Sequence, residues 1–228
     1  QSFSLAAVRE TLERMPMIFT VDSGQVTSKE LVELESSLVS IARKTVRTEG
    51  GFNFNFRPEI SLSDEQRRAV AKILESYSFI TLFRGPAGSG KSRTLREIKR
   101  GLEEANRTVL VLAPQRQQVL DLEADGLPAQ TLAQFLAVGK IPERATILLD
   151  EASQVGIRDL HRLVLIARDS RARLILSGDT RQHGAVAASD ALILLERYAG
   201  LPVAKLKTIR RQDPRLVATA EGKRAVAV

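Results

Sequence analysis

Residues 85–92 read Gly85-Pro86-Ala87-Gly88-Ser89-Gly90-Lys91-Ser92. Glycines, a lysine and a hydroxyl at this spacing suit the holding of a polyphosphate. The glycines let backbone N–H groups turn inward as a concave anion nest. A helix starting near Lys91 adds the positive end of its dipole. Lys91 can then neutralise terminal phosphate oxygens while the Ser92 hydroxyl ligates Mg²⁺; Arg93 follows as a further cation of the loop. Such a site also needs a carboxylate for the metal. Ile147-Leu148-Leu149-Asp150-Glu151 supplies two acids at the end of an apolar run. Asp150 is expected to hold Mg²⁺, and Glu151 to orient and deprotonate an attacking water. An Asp-Glu pair after a strand is ordinary by itself; its weight comes from the phosphate loop upstream. A third run, Leu174-Ile175-Leu176-Ser177-Gly178-Asp179, leads to Gln182. The Gln182 amide can bond a terminal phosphate or the water, and Asp179 the metal shell, although a plain strand-end turn has the same composition.

These groups need elements to position them. Residues 79–83, 108–112, 146–149 and 174–176 are short continuous runs rich in Ile, Val and Leu, the pattern of strands buried on both faces. Helical patterns separate them at 93–105, 115–123, 131–138, 157–168 and 189–199. Repeated βα order predicts an α/β fold, a parallel sheet with helices on both faces and functional loops at the carboxyl ends of its strands. Residues 1–60 read as an accessory α+β segment, with helical patterns near 5–15 and over 28–42 and a strand at 17–21. Phe52, Phe54 and Phe56 alternate with Asn53 and Asn55, as in a strand edge or extended linker. Their rings can stack on unpaired bases or pack against the neighbouring domain; packing is the preferred reading.

The chain has 228 residues and a net charge of +7, enough length for one large domain or one domain with a small partner. With 43% apolar and 27% charged residues and no cysteine, it reads as an ordinary globular protein without disulfides or thiolate chemistry. No apolar run approaches a membrane span, so a cytoplasmic protein with no membrane partner is expected. The chain starts at Gln1 rather than Met, which reads as a piece of something longer. Residues 1–60 carry seven basic and eight acidic residues, whereas 205–228 carry seven basic and two acidic. A basic excess of this kind suits a polyanion such as nucleic acid. His161 and His183, the only two histidines, show no metal-ligand spacing; His161 is expected on a solvent-facing helix side.

Taken together, the three chemical runs resemble the Walker A, Walker B and Gly-Asp-x-x-Gln motifs of superfamily 1 helicases. Leu62-Ser63-Asp64-Glu65-Gln66 resembles their Q motif, which implies that Gln66 reads the adenine edge. Ala113-Pro114-Gln115-Arg116 and Gln130-Thr131-Leu132-Ala133-Gln134-Phe135 resemble motifs that contact single-stranded DNA, implying DNA contacts at Pro114, Gln115, Arg116, Thr131 and Phe135. Leu206-Lys207-Thr208-Ile209-Arg210-Arg211-Gln212 resembles the opening of a second motor domain, which implies that Arg211 is an arginine finger. Within the superfamily, residues 61–220 are most similar to RecD-like (superfamily 1B) motors, in particular the helicase part of TraI-type conjugative relaxases. The resemblance implies a RecA-like fold, ATP and Mg²⁺ as cofactors, single-stranded or unwinding double-stranded DNA as partner, and translocation 5′ to 3′.

It further implies a division into an accessory segment at 1–60, a RecA-like motor domain at 61–204 and the start of a second motor domain at 205–228. The chain departs from the family pattern at Ser92, commonly Thr, at His183, commonly apolar, and at Arg210, commonly aromatic or apolar. None of these removes a catalytic group. Little sequence follows Arg211, so most of the second motor domain is expected to lie elsewhere, with weak ATP turnover by this chain alone. A nucleotide-gated module that binds single-stranded DNA without motor activity stays open as the alternative, and a P-loop kinase is disfavoured by the Gln66 and Gly-Asp-x-x-Gln elements.

Overall fold

Each of the four apolar runs forms a strand, and their alternating side chains explain why. In a computed structural model, which describes residues 18–20, 26–44, 52–179 and 191–208, Ile147 and Leu149 enter one hydrophobic cluster while Leu148 between them enters another. Leu174 and Leu176 likewise face away from Ile175. A strand with apolar side chains on both faces can exist only inside a three-layer structure. The strands are β3 (Ile80–Arg84), β4 (Val109–Ala113), β6 (Thr146–Leu149) and β7 (Arg173–Gly178). Two shorter strands, β5 (Gln130–Thr131) and β8 (Val203–Lys205), complete a six-stranded sheet of order β5-β4-β6-β7-β3-β8. All its pairings are parallel. The protein has an α/β, RecA-like P-loop fold.

The helices divide between the two faces. On one lie α2 (Asp64–Leu74), α3 (Lys91–Glu104) and α4 (Arg116–Ala124). On the other lie α1 (Lys29–Lys44), α5 (Leu132–Val138), α6 (Ile157–Asp169) and α7 (Ala191–Tyr198). β3 and β7 pair from Ile80↔Leu174 to Arg84↔Gly178, yet the helices that follow them, α3 and α7, cover opposite faces. The chain thus diverges at their carboxyl ends, the usual ligand position in open α/β sheets. The helix α2 is not evident from apolar spacing because it is highly charged. Its start is encoded instead by a capping box, in which Ser63 Oγ accepts from Gln66 N and Gln66 Oε1 accepts from Ser63 N.

The expected helix over 28–42 is α1, and it belongs to the main core rather than to a separate layer. Leu38 and Ala42 are fully buried in the cluster shared with α6 and α7. Its flank is tied down by Arg158, which donates to both Glu30 carboxylate oxygens at 2.6 and 3.0 Å, and by Arg43 Nε donating to the Tyr198 carbonyl at 2.6 Å. His161 is therefore not on a solvent-facing side. It is half-buried beneath α1, with Nε2 2.9 Å from Ser37 Oγ. Desolvation there, with a smaller contribution from the nearby Arg168 charge, holds its pKa below the ordinary value.

Residues 18–20 and 26–28 form an antiparallel pair, β1 and β2; the helical pattern near 5–15 lies outside the described residues. No strand forms over 52–60. Phe52 packs in the core with the Arg173 guanidinium 4.3 Å above its ring. Phe56 lies under Arg100 at 4.5 Å, and Phe54 stays exposed beside Tyr77. The boundary expected at 204/205 cuts through β8. Lys205 pairs with Arg84, Leu206 is buried with its N–H on the Arg84 carbonyl at 2.7 Å, and the Lys207 N–H reaches Glu65. The sheet and its contacts therefore continue across 204/205, as far as Thr208 on Glu65. No helix among the described residues is long and apolar enough to cross a membrane.

Two measurements test this packing. Leu38→Ala should lower unfolding stability by about 2–5 kcal/mol in a denaturant titration, whereas a loosely attached accessory helix would leave the midpoint unchanged. His161 is harder to protonate in the folded state, so the unfolded chain binds more protons as the pH falls below its ordinary range. Stability should decrease as pH drops through that window, and His161→Gln should flatten the dependence.

Candidate nucleotide-binding site

The phosphate loop leaves β3 at Arg84 and closes into α3 at Lys91. Gly88 (φ 75°) and Gly90 (φ 84°) adopt left-handed backbone conformations that cost an L side chain about 1–2 kcal/mol. At Gly90 a side chain would also collide with a neighbour, since a Cβ there would lie 2.7 Å from Gln66 Nε2. The Gly90 carbonyl accepts from Thr94 N at 3.1 Å, Thr94 Oγ1 at 3.0 Å and Gln66 Nε2 at 3.3 Å. Ser89 Oγ is buried without a partner among the described residues. A buried hydroxyl carries a desolvation cost when unpaired, so it marks a place where a phosphate oxygen fits.

Both acids lie where the reading of the sequence places them, at the end of β6 across from the loop. Lys91 Nζ donates to Glu151 Oε1 at 2.9 Å, with both side chains largely buried. Asp150 is 8% exposed, and its Oδ1 accepts from Ser177 Oγ at 2.7 Å. Asp179, at the end of β7, is equally buried. Ser177 is absent from the sequence-based set. The signal for it is the parallel register, in which Leu149 pairs with Leu176, making Asp150 and Ser177 the next neighbours. Among the described residues no cluster of three or more His, Asp or Glu side chains can hold a metal alone. Ser92 and Asp150 are the residues that would hold Mg²⁺, which commonly takes one or two protein ligands together with phosphates and waters.

Arg84, which immediately precedes the loop, is also buried and pairs with Glu196 of α7. Desolvation pulls its pKa below the ordinary value, against the attraction of Glu196. Its position ties the phosphate loop to the helix that follows the Gly-Asp-x-x-Gln run. Gln182 and Arg211 lie outside the described residues, as does His183.

Two of the expected residues are engaged elsewhere in this structure. Gln66 does not present a free amide for adenine. It is 2% exposed, its Oε1 accepts from Ser63 and its Nε2 donates to Gly90, because the capping box of α2 consumes the amide and turns it onto the phosphate loop. Phe135 does not present its ring to a base. It is 3% exposed and packs in the core, on the inward face of α5. The other expected DNA contacts stand at one end of the sheet. Gln115 and Arg116 are exposed at the start of α4, Pro114 is half-buried before them, and Thr131 caps α5 by accepting from Gln134 N. Arg93 is half-exposed and donates to Ser61 Oγ at 2.6 Å.

An AAA-domain family model matches residues 61–226. The chain belongs to that family. It is 33% identical over 168 residues to the multifunctional conjugation protein TraI of Escherichia coli K12 and 30% identical over 169 residues to another Escherichia coli TraI. Each alignment covers 68% of this chain but 10% of the relative. The similarity to the TraI-type motors of superfamily 1B therefore holds on overall identity as well as on motifs. A solved structure titled replication initiator DnaA bound to AMPPCP and single-stranded DNA superposes with a TM-score of 0.42 at 14% identity, covering 69% of this chain and 50% of that one. The domain is a nucleotide-binding, helicase-like AAA domain.

The pairing of Lys91 with Glu151 sets the test of the site. Glu151→Gln removes the charge that competes with phosphate for Lys91, so nucleotide affinity should rise while turnover falls by about 10²–10⁴-fold. Equilibrium binding of a labelled nucleotide, together with phosphate release, separates the two effects.

Proposed function

We propose that this chain is the ATP- and DNA-binding first motor domain of a conjugative relaxase-helicase, an ATP-dependent DNA helicase or translocase. The observation that carries the reading is the meeting of the phosphate loop, Asp150, Glu151 and Asp179 at a single crevice. Lys91 leaves Glu151 to hold the terminal phosphates, and Ser92 and Asp150 hold Mg²⁺. The metal, when bound, neutralises phosphate charge and fixes the geometry of the terminal phosphates. Glu151, released from Lys91, accepts a proton from the attacking water. Gln182 and Arg211 contact the terminal phosphate, the latter from the second motor domain of the intact protein. Gln115, Arg116 and Thr131 contact single-stranded DNA. Polarity is taken from the resemblance to superfamily 1B, as 5′ to 3′.

ATP turnover with and without a single-stranded oligonucleotide tests the proposal on this chain and on a longer one carrying the second motor domain. DNA should stimulate turnover, most strongly in the longer chain. Lys91→Ala should cost about 2–5 kcal/mol of nucleotide affinity; unchanged affinity would refute the assignment of the phosphate loop. Turnover indifferent to DNA, with nucleotide-dependent DNA affinity, would instead identify a gated DNA-binding module. Arg116→Ala should weaken DNA binding and flatten its dependence on salt by about one phosphate contact.

A further inference from the structure

Three glutamines join the expected DNA loop to the turn that bears Glu151. Gln118 Nε2 donates to Gln154 Oε1 at 2.9 Å, and Gln115 Nε2 donates to the same oxygen at 3.1 Å. Gln118 Oε1 in turn accepts from Gln115 N at 3.1 Å. Gln154 N donates to the Glu151 carbonyl at 2.9 Å, closing the short 3₁₀ turn Ala152–Gln154. Glu151 enters that turn with φ 48° and ψ 39°, a left-handed conformation that costs a non-glycine residue about 1–3 kcal/mol and persists only where its surroundings hold it.

The sheet does not need these side-chain contacts. β4 and β6 are joined by their own ladder up to Leu112↔Leu149, followed by Asp150 N on the Leu112 carbonyl at 2.9 Å. The glutamines lie beyond that last backbone bond, at exposed or half-exposed positions of the loop, of the first turn of α4 and of the 3₁₀ turn, where hydrogen bonds add little net stability. Yet Gln154 Oε1 gathers two donors from the loop that carries Gln115 and Arg116, while its backbone N–H holds the peptide of Glu151.

We infer that Gln154 is a positioning residue that couples a phosphodiester bound at residues 115–116 to the setting of the Glu151 carboxylate. The inference rests on the proposed function. A phosphate oxygen near Arg116 is a stronger acceptor for Gln115 Nε2 than a neutral amide. Withdrawal of that donor changes what Gln154 holds and so shifts the strained Glu151 between its contact with Lys91 and the attacking water. The bound and free states differ in named contacts at both ends, as a coupling between two sites requires.

Gln154→Leu removes the acceptor at similar size, and Gln154→Glu keeps it. Oligonucleotide affinity, nucleotide affinity and turnover, the last with and without DNA, are measured on the whole chain and on the longer one. Gln154→Leu, which lacks the acceptor permanently, should bind nucleotide as the wild type does, turn over ATP faster than the wild type without DNA, and lose about fivefold or more of the DNA stimulation. Gln154→Glu should retain the stimulation. Full stimulation in Gln154→Leu would overturn the inference, as would an equal loss of turnover with and without DNA, or failure of Gln154→Glu to retain it. Absence of stimulation in the wild type would overturn the proposed function and the inference with it, a result separable from the others because it precedes any substitution.

Discussion

A parallel sheet buried on both faces constrains everything else in this protein. Its strands must all end on one edge, so each loop that follows a strand faces the same side. The phosphate loop after β3, Asp150 and Glu151 after β6, and Asp179 after β7 meet for this reason although they are far apart in sequence. The register fixes the details. Pairing of Leu149 with Leu176 puts the Ser177 hydroxyl on Asp150, and pairing of Arg84 with Gly178 brings the start of the phosphate loop level with Asp179. A slip of one residue would turn each of these groups to the other face. The apolar residues of the strands thus set the chemistry without taking part in it.

Within that frame Lys91 and Glu151 are bonded to each other. Both side chains are largely buried, so each would be costly to leave alone. In the proposed mechanism nucleotide phosphates compete with Glu151 for the lysine, and the carboxylate becomes available only when they succeed. The strained backbone at Glu151 fits this arrangement, since a residue that must change partners is better held by a turn under tension than in a relaxed strand. Asp150, one residue earlier, is bonded to Ser177 inside the sheet and has no such freedom.

The sequence is legible where backbone geometry demands particular residue types. Glycine adopts the left-handed turns at Gly88 and Gly90 without strain, and uninterrupted apolar runs make doubly covered strands, so the phosphate loop, β3, β4, β6 and β7 can be read directly. Elements that depend on tertiary context are obscure. β8 is three residues long, is continuous with what reads as the next domain and is defined by its pairing with β3. α2 is charged on most of its surface, and its capping box, more than its apolar spacing, marks it. Gln66 and Phe135 show the limit of motif transfer, because residue type and spacing match a pattern while burial decides which atoms are free. The fate of His161 was set by α1, an element more than a hundred residues away whose docking no local pattern encodes.

The same edge carries the loops read as DNA contacts, after β4 and β5. β4 is the immediate neighbour of β6, so the loop proposed to meet DNA and the turn that carries Glu151 are one strand apart. Coupling between them needs no long relay through the core. It needs only polar side chains past the last ladder bond, where the two loops can touch and where water, phosphate and protein acceptors compete on nearly equal terms. A dry, rigid sheet beneath keeps the loops at a fixed spacing, and the exchangeable contacts above it allow each to register what the other has bound.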